Sequence, residues 1–161
     1  HEMTSDDCLS AIRRLTISGE IIPMLCGSAY HNIGVQHLLD AVINYLPEPN
    51  IENIKGLNLD GDEIEVNTTS GLVFKTDSDD FGKLSYIRVY SSTLKIGEKY
   101  LNSRTGKSER ISKIYQMHSN KKNPITELKA GDIGAIVGFK DIRTGDTICD
   151  ISNPIVFEKI V

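Results

Sequence analysis

The chain has 161 residues, of which 39% are hydrophobic and 25% charged, and its formal net charge is −4. This size suits one domain of about 100 residues with an appendage. The composition is that of a globular protein and excludes a disordered chain. It also excludes a chain that crosses a membrane, since no apolar run approaches the ~20 residues of a membrane helix. The negative charge argues against nucleic-acid binding by bulk electrostatics, which needs clustered lysine and arginine. Binding through a local basic patch is still compatible with it.

The first predicted element is a helix over residues 5–17. Ser5 is a candidate N-cap, and two acids follow it in the first turn, where they face the positive end of the helix dipole. Apolar residues recur at three- and four-residue steps, which places them on one face. Arg13 and Arg14 are expected to point away from that face.

A strand and a second helix are predicted next. The apolar run 21–26, closed by Gly27, is typical of a strand buried on both faces, although Pro23 removes one hydrogen-bond donor from it. Residues 35–46 carry apolar side chains at helical spacing, and Pro47 ends that helix. The first part of the chain therefore reads as a short α/β piece.

A domain boundary is predicted near Pro49, because residues 47–63 combine two prolines, two glycines and mixed charge. Residues 1–49 then belong to one domain and residues 50–161 to another. Six runs in the second part have strand composition: 71–76, 83–91, 98–102, 109–118, 132–139 and 154–160. Turn signals at 102–106 and 143–146 separate some of them. Six or seven short strands without a helical pattern indicate an antiparallel barrel or sandwich, which makes the whole chain α+β.

The amino terminus and the cysteines suggest a cytoplasmic location. Residues 1–10 lack the basic start and apolar stretch of a secretory signal. Cys8, Cys26 and Cys149 are odd in number, far apart and without metal-ligand spacing. We expect buried, reduced thiols, no metal site and no membrane partner.

Several long strings resemble one family, bacterial elongation factor G, a translational GTPase. Residues 19–49, with the turn Gly27-Ser28-Ala29, resemble the end of its GTP-binding domain, which has a P-loop GTPase fold. Three further strings resemble its second domain, a translation-factor β-barrel, in the same order: 82–102, 113–150 and 154–160. Ribosome-protecting tetracycline-resistance factors and release factor three share this architecture and stay open as alternatives, but residues 138–150 favour elongation factor G.

The resemblance implies a nucleotide role for Ser28 and Ala29, whose backbone amides would help to bind the guanine base at O6. Gly27 would permit the close approach of the backbone. The phosphate-binding loop GxxxxGK[ST] does not occur in the chain. We therefore expect GTP or GDP with magnesium to bind the intact parent, whereas this fragment has no cofactor, no catalytic residue and no GTPase activity of its own.

The resemblance also implies the ribosome as a partner, because the second domain of this family contacts small-subunit ribosomal RNA. Candidate contacts are Arg104 and Lys107 on a predicted hairpin tip, and Lys121 and Lys122 in a basic turn predicted at 120–123. Their long cationic side chains could reach phosphates. Exposed lysines at turns are more often only solvated, and this interpretation remains the alternative.

The function expected is a fragment of an elongation factor whose parent uses GTP hydrolysis to move tRNA and mRNA through the ribosome. A free-standing RNA-binding barrel is the alternative. The candidate strand 21–26 argues against it, since a strand buried on both faces normally lies inside a larger sheet. The remaining domains of the parent would cover this strand. In the isolated chain, dimerisation or packing against the barrel would hide it.

One departure from the family pattern concerns Ser92, which stands where a glycine is common. A left-handed backbone at a serine is less favourable than at glycine by of order 1 kcal/mol. Either Ser92 is strained or the backbone shifts locally.

Overall fold

The structure, a computed structural model, describes residues 4–49, 54–79, 82–119 and 121–157. The chain forms two compact units, residues 1–50 and 51–161. In the described parts of the chain, neither helix is long and apolar enough to span a bilayer.

The first unit contains two helices, α1 (Ser5–Ile17) and α2 (Val35–Tyr45), which confirms both predictions. The N-cap of α1 is Thr4 and not Ser5 as expected. The Asp7 N–H donates to the Thr4 hydroxyl at 3.2 Å, and the Thr4 N–H donates to the Asp7 carboxylate at 3.0 Å. This reciprocal pair satisfies two amides at the helix start that have no partner inside the helix.

Arg13 joins the two helices. Its Nη1 donates to the carbonyl oxygen of Asn44 at 2.8 Å and to those of Ile43 and Leu46 at 3.3 Å. The last carbonyls of a helix lack partners within it, and a cation there also faces the negative end of the helix dipole. The side chain that was expected only to point away from the apolar face therefore caps the end of α2.

Residues 21–26 do not form a strand, so this prediction was wrong. A strand needs a hydrogen-bonded neighbour, and no described segment pairs with this one. Ile21, Ile22 and Leu25 line an apolar groove of about 370 Å³ together with α2. Ile22 and Met24 are nevertheless 90% and 95% exposed.

The second unit is built from strands, of which twelve lie in the described residues. They are β1 (Lys55–Leu57), β2 (Glu63–Glu65), β3 (Ser70–Asp79), β4 (Gly82–Ser91), β5 (Thr93–Lys95), β6 (Lys99–Asn102), β7 (Lys107–Arg110), β8 (Lys113–His118), β9 (Lys121–Ile125), β10 (Glu127–Lys129), β11 (Ile133–Val137) and β12 (Thr147–Cys149). Eight form one antiparallel sheet in the order β7-β6-β12-β3-β4-β11-β8-β9, and β1–β2 and β5–β10 form separate pairs.

The large sheet encloses a single core. Val73 and Ile87 come from the middle of the strand order, whereas Tyr100 of β6 and Ile114 of β8 come from near its two ends, yet all four belong to one buried cluster. A sheet whose ends share a core must curve round it. The predicted antiparallel β-barrel is thereby confirmed. A smaller cluster, which includes Cys149, packs on the outer side of β3 and β12.

Most of the predicted strand runs contain strands, with three corrections. The run 109–118 is divided between β7 and β8. The basic turn predicted at 120–123 is wrong from Lys121 onward, because these residues belong to β9, while Asn120 lies outside the described residues. In the run 154–160 only Val156 forms a bridge, with Leu57, and residues 158–160 are outside the described part.

Two smaller expectations have clear outcomes. Of the three cysteines only Cys149 is buried, so the expectation was wrong for Cys8 and Cys26, both in the first unit and both exposed. Ser92 has φ 60°, the left-handed conformation. The backbone has therefore not shifted away from the conformation that favours glycine.

Candidate nucleotide turn and RNA-binding surface

The turn Gly27-Ser28-Ala29 lies between the apolar segment 21–26 and α2. The Ser28 N–H donates to the Ile33 carbonyl at 2.9 Å, and the Ile33 N–H donates back to the Ser28 carbonyl at 3.0 Å. A Cβ added at Gly27 would lie 2.6 Å from the Ile33 carbonyl oxygen. Only glycine fits at this position, because the backbones approach too closely for any side chain.

The turn leaves the two candidate amides in different states. The Ser28 N–H is already used by the Ile33 carbonyl. Among the hydrogen bonds of the described residues, none uses the Ala29 N–H, and Ala29 is exposed. Both residues line a cavity of about 200 Å³ beside the turn. Of the pair, Ala29 is therefore the donor that a ligand could reach.

Arg104 lies in the turn between β6 and β7, as predicted, but its side chain binds within the protein. Nε donates to Asp146 Oδ1 at 2.7 Å and Nη2 donates to Oδ2 at 3.0 Å, a bidentate pair. Nη2 also lies 3.1 Å from both the backbone carbonyl oxygen and the carboxylate of Asp141. Arg104 thus clamps the segment between β11 and β12, and its Nε and Nη2 donors are occupied by Asp146 and Asp141.

Asp146 is the centre of this clamp and is only 3% exposed. Besides Arg104, it accepts hydrogen bonds from the Asn102 side chain at 2.8 Å and from the Arg143 N–H at 2.9 Å. Burial acts to raise the pKa of Asp146, but the hydrogen bonds from Arg104, Asn102 and Arg143 outweigh it and hold the pKa below its ordinary value. The carboxylate is therefore ionised at neutral pH.

The three lysines predicted to contact RNA lie on two different hairpins. Lys107 begins β7, whereas Lys121 and Lys122 begin β9, and these strands are at opposite ends of the strand order. Lys107 and Lys121 are exposed and Lys122 is half-buried. Strand pairing places Lys121 opposite His118 and Lys122 opposite Met117. The sheet brings the two β9 lysines together but does not pair them with Lys107.

The sequence did not reveal the partners of Arg104. Asp141 and Asp146 lie about 40 positions further along the chain, and only the turn signal at 143–146 marked their region. No group of three or more His, Cys, Asp or Glu side chains that could hold a metal ion occurs within the described ranges.

Comparison with known proteins adds three findings. A family profile described as elongation factor Tu domain 2 matches residues 82–149. The chain is 49% identical to elongation factor G of Karelsulcia muelleri (strain GWSS) over 168 aligned residues, which cover 99% of this chain and 24% of that protein. A crystal structure of a protein from Thermus thermophilus aligns with a TM-score of 0.67 over 93% of this chain and 21% of its own, at 22% identity, and this likeness concerns the fold alone.

These findings first define a class: the second unit is a β-barrel of the kind found as domain 2 in translation elongation factors. The similarity across nearly the whole chain then identifies the family, and the chain belongs to elongation factor G as a fragment of a translation elongation factor. It spans about a quarter of the relative that it matches. The matches do not favour a resistance factor, a release factor or a free-standing barrel.

Proposed function

We propose that the parent of this chain is a translocating GTPase of the cytoplasm, which uses GTP hydrolysis to move tRNA and mRNA through the ribosome. In it, residues 1–49 end the GTP-binding domain, and residues 50–161 form domain II, which couples that domain to the ribosome. The observation that carries the proposal is the 49% identity to an elongation factor G, which extends through both units.

The test uses the intact parent and ribosomes stalled before translocation. Addition of the parent with GTP should move the mRNA by one codon, whereas a non-hydrolysable GTP analogue should slow the reaction. A parent that hydrolyses GTP on the ribosome but leaves the mRNA in place would contradict the proposal.

In the nucleotide site of the parent, the Ala29 N–H donates to O6 of guanine, while the Ser28 N–H keeps the turn closed. Ala29→Pro removes this donor and Ala29→Gly keeps it. One hydrogen bond is worth about 1 to 1.5 kcal/mol, so Ala29→Pro should weaken GDP binding by roughly tenfold. A GDP analogue with 2-aminopurine, which lacks O6, should bind both variants alike. Unchanged selectivity for GDP in Ala29→Pro would exclude this role.

The fragment alone is expected to release no phosphate from GTP, because GxxxxGK[ST] does not occur in its 161 residues. Magnesium and the phosphates of GTP or GDP are bound by parts of the parent outside this chain. The measurement is phosphate release with and without ribosomes. Hydrolysis by the purified fragment would overturn this assignment.

In domain II, Lys107, Lys121 and Lys122 contact phosphates of small-subunit ribosomal RNA. Arg104 contributes less, because two carboxylates already occupy its guanidinium. Alanine at each lysine should weaken binding of the chain to small subunits and lower the slope of log K against log salt by about one. Lys55→Ala is the matched control, since Lys55 is exposed and pairs with Glu63 at 2.5 Å. If Lys55→Ala and Lys121→Ala weaken binding to small subunits equally, the lysines attract RNA only non-specifically and the proposed contacts are wrong.

The apolar segment 21–26 is covered in the parent by its remaining domains, and in the isolated chain by a second copy. Ile22 and Met24 are almost fully exposed, and an unpaired apolar segment attracts other chains. Light scattering of the isolated chain should show a concentration-dependent dimer that Met24→Lys weakens. A strict monomer at high concentration would exclude the dimer.

A further inference from the structure

Aromatic side chains line the outer face of the barrel on neighbouring strands. In β4 the side chains alternate: Ile87 and Val89 lie in the core, whereas Tyr86 and Arg88 are half-buried on the outer side. Tyr86 pairs with Ala135 of β11, and Ala135 pairs on its other side with Tyr115 of β8. Paired residues point to the same face, so Tyr86 and Tyr115 flank a fully buried alanine, two strand spacings or about 10 Å apart.

A bulge in β3 brings a third ring to this face. The pairing passes from Val73 opposite Ile87 to Lys75 opposite Tyr86, and Phe74 is the additional residue between them. Bulges redirect side chains, and here the Phe74 ring centre lies 6.3 Å from that of Tyr86. Phe74 is exposed. Phe74 and Tyr86 are therefore neighbouring rings, tilted by 50° to each other, and both are accessible to solvent.

Cationic side chains are interleaved with the rings. Lys75 Nζ lies 5.1 Å from the centre of the Tyr86 ring, and the Arg88 guanidinium lies 5.0 Å from the centre of the Tyr90 ring. Asp77 is an acid at the end of the same face, two positions beyond Lys75. We call Phe74, Tyr86, Tyr115, Lys75 and Arg88 the aromatic face.

We propose that the aromatic face binds single-stranded RNA, with one unpaired base on Phe74 and Tyr86, a second base on Tyr115, and the adjacent phosphates at Lys75 and Arg88. Bases stack on any aromatic side chain, and cations beside the rings complement the backbone charge. Lysine is depleted at protein interfaces, whereas here Lys75 lies against the Tyr86 ring at the centre of the face. The inference rests on the proposed function, which it deepens by adding base contacts to the phosphate contacts of the lysines.

The experiment measures binding of the whole 161-residue chain to fluorescein-labelled single-stranded U12 RNA, by anisotropy at several salt concentrations. Tyr86→Leu and Tyr115→Leu should each weaken binding about fivefold or more and leave the salt slope unchanged, because a lost stack releases no counterion. Lys75→Ala should lower the slope by about one. Tyr30→Leu, at an exposed tyrosine of the first unit, should change neither.

A second probe separates stacking from phosphate contact. An abasic 12-mer with the same backbone should bind wild-type chain more weakly than U12 and should not distinguish wild type from Tyr86→Leu. Circular dichroism checks that each variant is folded. Equal binding of the abasic and U12 probes to the wild-type chain would overturn the inference.

The remaining outcomes distinguish this inference from the proposed function. If Lys121→Ala weakens RNA binding but Tyr86→Leu does not, the aromatic face is wrong and the phosphate contacts stand. If Tyr86→Leu instead weakens only the association of the chain with separately expressed domains of the parent, the face is a protein interface and the inference fails. If wild-type chain binds neither U12 nor small subunits, both fail.

Discussion

The two units of this chain bury their apolar residues to very different degrees. In the barrel, one cluster contains twelve apolar side chains that are at most 5% exposed. In the described part of the first unit, Ala41 is the only buried apolar residue, and Ile22, Met24 and Tyr30 are almost fully exposed. The barrel has a core of its own, whereas the first unit has the pattern of a domain without the layer that would cover it.

Local contacts are consequently more important in the first unit. Its helices have 13 and 11 residues, lengths at which helices are marginal without tertiary packing. The cap at Thr4 and the hydrogen bonds from Arg13 to the end of α2 supply part of what a core would otherwise give. Substitutions in the two units should therefore differ in size, which makes the comparison testable.

The largest expected effect is at the barrel core. Ile87→Ala leaves a cavity at a fully buried site and should lower the free energy of unfolding by about 3–4 kcal/mol. Ile43→Ala, at an exposed position of α2, should change it by about 0.5 kcal/mol or less. Urea denaturation followed by circular dichroism measures the barrel, and amide exchange measures α2.

Repeating the Ile43→Ala substitution in the intact parent tests whether other domains cover α2. If the remaining domains cover α2 there, Ile43→Ala should become destabilising by about 2 kcal/mol or more. An equally small effect in the parent would mean that this face stays exposed.

The second effect concerns the clamp in the barrel. Asp146→Ala removes the buried acceptor that Arg104 and Asn102 share. Both side chains keep contacts with Asp141 and Arg104 is 34% exposed, so the free energy of unfolding should fall by about 3 kcal/mol, the low end for a broken buried pair. Asp141→Ala removes a carboxylate that is about half exposed and screened by solvent, and should lower the free energy of unfolding much less. Equal effects of the two substitutions would refute the central place of Asp146.

The same carboxylate predicts a pH dependence. The pKa of Asp146 is lowered in the folded chain, so its contribution is complete above the unfolded value of about 4 and is lost as the pH falls through the folded pKa. Wild type should therefore lose stability below about pH 4, and Asp146→Asn should lose less over that interval. Urea midpoints from pH 7 down to pH 2 test this, and parallel curves for the two proteins would exclude the linkage.

The comparison also explains how much of the fold could be predicted from the sequence. The helices were found because caps and periodicity are local signals. The strand at 21–26 was wrong because its apolar pattern requires a partner that the described chain does not supply. The strand β12 was missed because three residues are too short for periodicity to show, and β9 was missed because lysines and a proline obscure it.

The candidate site was harder to predict from the sequence than the helices were. Ser28 and Ala29 were proposed because residues 19–49 resemble the end of a GTP-binding domain, since a glycine turn alone is a weak signal. Only the geometry separates the engaged amide of Ser28 from the available amide of Ala29. Arg104 was a candidate RNA contact because it lies on a predicted hairpin tip, where a long cationic side chain could reach phosphates. Its acceptors come from another turn about 40 residues later, a pairing that the barrel creates and that no spacing predicts.

A smaller effect is expected at the contact between α1 and α2. Arg13→Ala removes the hydrogen bonds to the end of α2 and a favourable charge at its negative pole, and should lower the local stability of α2 by about 0.5–1 kcal/mol. Amide exchange in residues 42–46 should become roughly two- to fivefold faster, since 1.36 kcal/mol corresponds to a factor of ten. Arg14→Ala, one position along α1, is the control and should leave that exchange unchanged.

The smallest effect should be a gain in stability. Ser92 is exposed and has φ 60°, so Ser92→Gly relieves backbone strain of order 1 kcal/mol. After the added entropy of the unfolded chain, the net gain should be about 0.5 kcal/mol. Ser91→Gly, one position earlier in β4, places glycine in an ordinary strand and should lower stability by a similar amount. A gain in stability at Ser92 and a loss at Ser91 would show that the backbone conformation of the serine decides the effect of glycine. A loss at both positions would mean that the Ser92 side chain stabilises the barrel by more than its backbone strain opposes it.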